Sequence, residues 1–215
     1  MTLSRRSFLC GTGAGLAVTP WALSALAQAE PETKFRLSAC DWSLNAFGPE
    51  GLEIAARVGL DGLEISASDR EKAGDTLAIA DPSLREAYKA SMKKHNVAVS
   101  SVAMGLLNGY PNATDERAQG WLEQTIEGTA DLGASVILMA FFNKGDLRDK
   151  DKKAKTKMID AMVERLKDAA PKAEKAGVIL GLENSLDGKS NMAILDRVQH
   201  DSVRYYYDVG NLTHY

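Results

Sequence analysis

The strongest constraint on the fold of this chain is a repeating alternation of short apolar runs with longer stretches of helical periodicity. The apolar runs predict six strands, at residues 35–40, 62–65, 97–104, 135–142, 178–182 and 203–207. Within these runs apolar residues occupy successive positions more often than alternate ones, which is typical of parallel strands covered on both faces. Between the runs apolar residues recur every three or four positions, and this periodicity predicts five helices.

Four of the predicted helices end at a residue that tolerates the left-handed backbone conformation, shortly before the next strand. These residues are Gly59, Asn96, Gly133 and Gly177, and each is expected to cap its helix. Pro171 is expected to kink or split the fourth helix, because proline lacks the N–H that the helical ladder needs. Strands that alternate with helices through short connections form a parallel sheet with right-handed crossovers. Such a sheet is either doubly wound or closed into a barrel.

Polar and aromatic side chains follow several of the predicted strands, and their distribution favours the barrel. No Gly-x-Gly-x-x-Gly sequence follows the first strand, and no phosphate-binding loop occurs elsewhere. A barrel builds its site from one or two side chains at the end of each strand, all facing a common mouth. The residues concerned are Asp41, Trp42, Asn45, Glu64, Ser66, Asn108, Asn143, Glu183, Asn184, Asp208 and Asn211.

Residues 1–29 are predicted to be an export signal rather than part of the fold. Arg5, Arg6 and Phe8 precede a moderately apolar stretch, and no acidic residue occurs before Glu30, a pattern that resembles the twin-arginine export signal. An uncleaved membrane anchor is the alternative, but it needs about 20 strongly apolar residues, whereas glycines and Pro20 dilute this stretch. We therefore expect an exported, periplasmic protein without a stable membrane anchor, which meets the twin-arginine translocase during export.

The charge balance argues against a nucleic-acid partner. The chain carries 26 Lys and Arg residues against 29 Asp and Glu residues, and its formal net charge is −3. Proteins held to nucleic acid by phosphate contacts usually present a basic face instead. After the predicted signal Cys40 is the remaining cysteine, and we interpret it as a small buried strand residue.

Three of the predicted strands end in motifs that resemble one known family. The motifs are Gly-Leu-Glu-Asn-Ser at residues 181–185, Tyr-Tyr-Asp-Val-Gly-Asn at 206–211 and Gly-Leu-Asp-Gly-Leu-Glu-Ile at 59–65. In this order they resemble the xylose isomerase-like TIM barrels called sugar phosphate isomerases or epimerases, over about residues 35–215. The resemblance implies an α/β fold, a (β/α) TIM barrel, for residues 30–215. The chain ends seven residues after Asp208, so about six of the eight strand–helix units are expected, and we interpret it as an incomplete barrel that is inactive by itself.

The resemblance also implies a divalent metal ion, such as Mn²⁺ or Mg²⁺, at the barrel mouth. In the family the ion is held by a Glu, an Asp, a His and a Glu after strands five, six, seven and eight. Glu183 and Asp208 match the first two of these positions, and Glu183 is also the implied catalytic base. At position 211 many relatives carry a histidine, where this chain has an asparagine. The expected contacts to the substrate are Glu64, Trp42, Asn108 and Asn211.

Each of these residues also has a purely structural interpretation. Asp208 is suited to cap a following helix, Asn108 to bond its own turn, and Trp42 to pack under a loop. Glu183 and Glu64 also have structural interpretations, because a carboxylate at a strand end can form a salt bridge or a structural hydrogen bond. These alternatives stay open at the level of the sequence.

The resulting expectation is an isomerase or epimerase of an unphosphorylated sugar or cyclitol, which removes a proton next to a carbonyl. No paired Arg or Lys stands at the predicted strand ends to clamp a phosphate. A lyase or dehydratase acting on a keto-sugar with the same metal site is one alternative. A non-catalytic carbohydrate-binding barrel is another. A DNA-repair endonuclease of the same barrel type is disfavoured, because that family uses a cluster of histidines and this chain has three, none at a matching strand end. The oligomeric state is not predicted.

Overall fold

The fold is taken from a computed structural model, which describes residues 35–68 and 73–210. The predicted export signal and Asn211 lie outside the described residues. In the part of the chain that is described, no helix is both long enough and apolar enough to cross a membrane.

Strands and helices alternate along the described chain. The six strands are β1 (Ser38–Cys40), β2 (Gly62–Ser66), β3 (Ala98–Met104), β4 (Val136–Phe141), β5 (Ile179–Asn184) and β6 (Val203–Tyr205). The helices between them are α1 (Asp41–Leu44), α2 (Gly51–Val58), α3 (Pro82–His95), α4 (Ala118–Asp131), α5 (Thr156–Ala176) and α6 (Gly188–Val198). Short 3₁₀ turns lie at Ala78–Ala80, Gly105–Asn108 and Asn143–Gly145. The single turn of α1 was not predicted from the sequence.

The strands form one parallel sheet in sequence order, from β1 at one edge to β6 at the other. The sheet is strongly curved. This is shown by a hydrogen bond of 3.2 Å that the Tyr206 hydroxyl, just after β6, donates to Glu64 on β2. In a flat sheet these two strands would stand about 19 Å apart, since neighbouring strands are spaced by about 4.8 Å. The described residues therefore form a six-stranded part of a TIM-barrel-like sheet, and the predicted fold class is confirmed.

The predicted helix ends are confirmed, and one prediction about a helix interior is not. Gly59, Asn96, Gly133 and Gly177 all have positive φ angles, between 54° and 81°. The fourth predicted helix, α5, does not split at Pro171 but continues to Ala176. Pro171 is exposed, so the carbonyl that loses its N–H partner one turn earlier has access to water.

The two faces of the sheet are different. On the outer face large apolar side chains pack against the helices, and those from the strands include Leu63, Ile65, Val102, Met104, Ile137, Met139, Leu180 and Leu182. On the inner face most of the alternate strand positions carry small or polar residues, with Leu138 as an exception, as expected when strands close around an interior. These inner residues include Cys40, Glu64, Ser101, Ala103, Leu138, Ala140, Gly181 and Glu183.

Candidate active site

A cavity of about 610 Å³ opens on the inner face, at the carboxyl ends of the strands. Parallel barrels place their sites at this end, because the loops that follow the strands converge there. A volume of this size is typical of sites that bind small molecules. Five of the six site residues predicted from the sequence line the cavity, and these are Trp42, Glu64, Asn108, Glu183 and Asp208.

Glu183 and Asp208 come from the ends of neighbouring strands. Glu183 lies near the end of β5 beside Ala140 of β4, and 9% of the residue is exposed. Asp208 follows β6 by three residues and is partly exposed. Both carboxylates act on Tyr205, whose pKa is raised mainly by burial and further by the charges of Tyr207, Glu183 and Asp208. Glu183 and Asp208 also both line the cavity.

Asp208 also makes the local contact that a capping residue makes. Its Oδ1 accepts a hydrogen bond of 2.6 Å from the backbone N–H of Gly210. This bond restrains the carboxylate without removing it from the cavity wall. The structural interpretation of Asp208 and the metal-ligand interpretation are thus compatible.

The loop that follows Glu183 is fixed by buried amide side chains. Asn184 Nδ2 donates to Asn191 Oδ1 at 2.8 Å, and Asn191 Nδ2 donates to two backbone carbonyls of the loop at 3.0 and 3.1 Å. Ser185 Oγ donates to Asp146 Oδ1 at 2.9 Å, which joins this loop to the one after β4. These hydrogen bonds fix the backbone of residues 184–187, directly after Glu183, as a preorganised site requires. Asn191 lies in α6, and no motif in the sequence distinguished it.

Glu64 lies within β2 rather than at its end, and the protein itself surrounds its carboxylate with donors. Ser101 Oγ and Tyr206 OH donate to Oε2 at 2.6 and 3.2 Å, and the Cys40 thiol donates to Oε1 at 3.3 Å. Glu64 is 3% exposed and lies at the floor of the cavity. Burial, with a further contribution from Glu64, raises the pKa of the Cys40 thiol to about 12, so the thiol keeps its proton. Burial and Glu64 also raise the pKa of Tyr206.

Asn108 and Trp42 also line the cavity. Asn108 ends a 3₁₀ turn, and its Oδ1 accepts a hydrogen bond of 2.9 Å from the backbone N–H of Phe142. It therefore joins the loop after β3 to the end of β4 instead of bonding only its own turn. Trp42 packs against a small apolar cluster inside the barrel, together with Phe142 and Tyr206, and the cluster consists of Ala103, Leu138 and Ala140.

The charge of the cavity suits a hard cation. Glu64, Glu183 and Asp208 contribute three carboxylates, and no Lys, Arg or His occurs among the described lining residues. Mg²⁺ and Mn²⁺ favour carboxylate oxygens, and Mg²⁺ commonly binds one or two of them together with water or substrate. Glu183 and Asp208 fit such an ion. In the described ranges, 35–68 and 73–210, no group of three or more His, Cys, Asp or Glu residues is placed to hold a metal by itself.

Solved structures of other proteins share this fold. A xylose isomerase-like TIM barrel protein from Mycobacterium smegmatis, in complex with magnesium, is 20% identical and has a TM-score of 0.59. The matched region covers 76% of this chain and 56% of the length of that protein. The 3-keto-D-glucoside 4-epimerase of E. coli is 13% identical, with a TM-score of 0.57 and coverage of 73% and 61%. The D-psicose 3-epimerase of Clostridium cellulolyticum H10, with D-tagatose, is 18% identical, with a TM-score of 0.57 and coverage of 80% and 62%.

Identities this low show the fold alone, and the chain spans about three fifths of the length of these three proteins. A comparison with curated proteins finds no significant match. The family model described as "Xylose isomerase-like TIM barrel" matches residues 52–215. The chain therefore belongs to the xylose isomerase-like TIM barrel family.

Proposed function

We propose that the protein is a divalent-metal-dependent isomerase or epimerase of an unphosphorylated sugar or cyclitol. The observation that carries the proposal is that Glu183 and Asp208, from neighbouring strand ends, line the same cavity. Membership of the xylose isomerase-like family supports it, and so does the presence of two sugar epimerases among the structures with this fold.

Two carboxylates at the mouth suit the abstraction of a proton next to a carbonyl. Glu183 and Asp208 would hold the divalent ion, which would supply Lewis-acid polarisation of the substrate carbonyl and so make a proton on the adjacent carbon more acidic. The Glu183 carboxylate takes that proton, and the electron pair of the broken C–H bond moves onto the substrate as an enediolate. Delivery of a proton from solvent to the opposite face of the same carbon, with the first proton left on Glu183, gives the epimer. Delivery to the neighbouring carbon, with transfer of the hydroxyl proton to the former carbonyl oxygen, gives the isomer.

The wall of the cavity favours a neutral substrate. A phosphate group would meet three carboxylates, and the described lining residues offer no cation to bind it. The indole of Trp42 and the ring of Phe142 provide apolar area for the C–H face of a sugar. Asn143 and Ser43, also on the wall, add polar groups suited to hydroxyls.

We propose that the protein acts after export, in the periplasm. The support is the pattern of Arg5, Arg6 and Phe8 ahead of a moderately apolar stretch. Replacement of both arginines by lysine should keep the protein in the cytoplasm, as measured by fractionation of cells that express it. Export that is unchanged by the double replacement would contradict this part of the proposal.

Exchange of the substrate proton with solvent tests the catalytic proposal. In D₂O with Mn²⁺, we expect the protein expressed from its complete reading frame to introduce deuterium next to the carbonyl of an unphosphorylated ketose or cyclitol ketone, and not of a phosphorylated one. Glu183→Gln should abolish the exchange, whereas Asp149→Asn, a matched change outside the cavity, should leave it intact. Nuclear magnetic resonance follows both the exchange and the product.

Three results would overturn the proposal. Exchange accompanied by loss of water would identify a lyase or dehydratase. Binding of sugar without exchange, unaffected by Glu183→Gln, would identify a carbohydrate-binding barrel. If the protein neither binds nor exchanges any of the unphosphorylated sugars and cyclitols tested, the proposed substrate class is excluded.

A further inference from the structure

We propose that Tyr206 is the positioning residue of the candidate metal site and that Glu64 is its anchor across the barrel. This inference rests on the proposed function, because it concerns how Asp208 is placed beside Glu183. It also assigns Glu64 a role other than the substrate contact expected from the sequence.

The first step is the position of the Tyr206 ring. The ring lies against Gly181, where an added Cβ would come within 2.8 Å of Tyr206 Cδ2 and within 3.2 Å of Tyr206 Cβ. A residue without a side chain is therefore needed on β5 to admit the ring to the barrel interior. Gly181 precedes Glu183 by two residues and Tyr206 precedes Asp208 by two. The ring and the glycine thus form one packed contact immediately before the two carboxylates.

The second step is the way in which the ring is held. The Tyr206 backbone N–H donates to Leu182 O at 2.9 Å, and its hydroxyl donates to Glu64 Oε2 at 3.2 Å. Hydrogen bonds to an ionised acceptor are stronger than those between neutral groups. The Glu64 carboxylate is itself fixed by Ser101 at 2.6 Å and Cys40 at 3.3 Å. Side chains from β1, β2 and β3 therefore hold one phenol that belongs to the segment after β6.

The third step is the consequence for Asp208. β6 has three residues and lies at one edge of the described sheet, so it pairs there with β5 alone. The segment that carries Asp208 starts after this short strand has ended. The hydrogen bond from Tyr206 to Glu64, which are 142 positions apart in sequence, restrains that segment from the opposite side of the barrel. We therefore expect the bond to set the position of Asp208 relative to Glu183.

Titration of the protein, expressed from its complete reading frame, with Mn²⁺ and detection by electron paramagnetic resonance tests the assignment. Tyr206→Phe keeps the ring and removes the hydroxyl, and we expect it to weaken Mn²⁺ binding about tenfold, the effect typical of groups that orient metal ligands. Tyr88→Phe is the matched control, because Tyr88 is a buried tyrosine of α3 that does not line the cavity. That variant should lose stability without losing Mn²⁺ affinity.

Glu64→Leu, which removes the acceptor oxygens at a similar size, gives a second route to the same bond. If Tyr206 and Glu64 act through one contact, the double variant should bind Mn²⁺ no more weakly than the weaker of the two single variants. Unchanged affinity in both single variants, with lowered thermal stability, would make the network merely structural and overturn the assignment. Failure of the unaltered protein to bind Mn²⁺ would instead contradict the proposed metal site, and the assignment would fall with it.

Discussion

The outer and inner faces of this sheet use adjacent residues of the same strands for opposite purposes. On β5, Leu180 and Leu182 face the helices and are almost fully buried. Gly181 and Glu183 alternate with them and face the interior. The difference teaches that the stability of the fold and the candidate chemistry lie on separate faces, so that single substitutions can address one without the other.

The polar inner face remains compatible with folding because its buried groups have partners. Glu64, buried on this face, has three donors. A buried polar group without such partners would cost about 1–3 kcal/mol. The outer face needs no such arrangement, because burial of its apolar area stabilises the fold directly.

The largest expected effect comes from a pair of neighbouring positions on β5. Leu182→Ala removes a side chain that is 1% exposed, and we expect a loss of about 3 kcal/mol in the free energy of unfolding, because a cavity remains. Glu183→Gln should change stability by less than about 1 kcal/mol, since the side chain lines a cavity rather than the packed layer. Urea denaturation measures both values. Equal losses of stability in the two variants would break the comparison between the faces.

Gly181→Ala sharpens the comparison on the inner face. Its Cβ would meet Tyr206 Cδ2 at 2.8 Å and Ile137 O at 3.2 Å, and crowding of this kind costs about 1–3 kcal/mol. The cost should be smaller when Tyr206 is also changed to Ala, because the ring is then absent. Gly120→Ala is the control, because nothing lies within 4 Å of its Cβ and helix α4 should tolerate it. Equal costs with and without the Tyr206 ring would contradict the packing of that ring on Gly181.

A further expected effect is a loss of stability at alkaline pH. The Cys40 thiol has a pKa of about 12 in the folded chain, whereas its ordinary value, which applies to the unfolded chain, is 9.0. The unfolded chain therefore releases this proton first, and the stability present below pH 9 is lost as the pH rises towards 12. Tyr88 and Tyr206, whose pKa values are also raised mainly by burial, act in the same direction.

Cys40→Ser isolates the contribution of the thiol, since serine does not titrate in this range. We expect the free energy of unfolding to fall less steeply with pH in this variant than in the unaltered protein. Urea denaturation between about pH 8 and pH 11 measures the slope. A slope that is the same in both proteins would show that Cys40 is not held in its neutral form by the inner face.

The sequence predicted those features that depend on neighbouring residues. Helix ends at Gly59 and Gly177 follow from local backbone preference, and both are confirmed. Gln199 ends α6 in the same conformation with φ of 55°, but a glutamine gives no such signal. The bond between Tyr206 and Glu64 was also not predicted, because it depends on how far the sheet curves. Local patterns carry no information on that curvature.

The candidate site shows the same division. Glu183 and Asp208 were predicted from strand-end motifs, and the fold brings both to one cavity. Ser101 was missed, although a polar residue within an otherwise apolar predicted strand is a signal for the inner face. Asn191 was missed because its contact with Asn184 forms only when α6 folds back on β5. The ligand-like residues are thus readable from the sequence, whereas the residues that hold them are fixed by tertiary packing.

The central claim is that Glu183 and Asp208 together bind one divalent ion, and calorimetric titration with Mn²⁺ tests it most directly. For the protein expressed from its complete reading frame, the account predicts one site per chain, which Glu183→Gln and Asp208→Asn each abolish while Asp149→Asn leaves it unchanged. Thermal denaturation without metal should show all three variants folded. Retention of the full Mn²⁺ affinity by either cavity variant would contradict the claim.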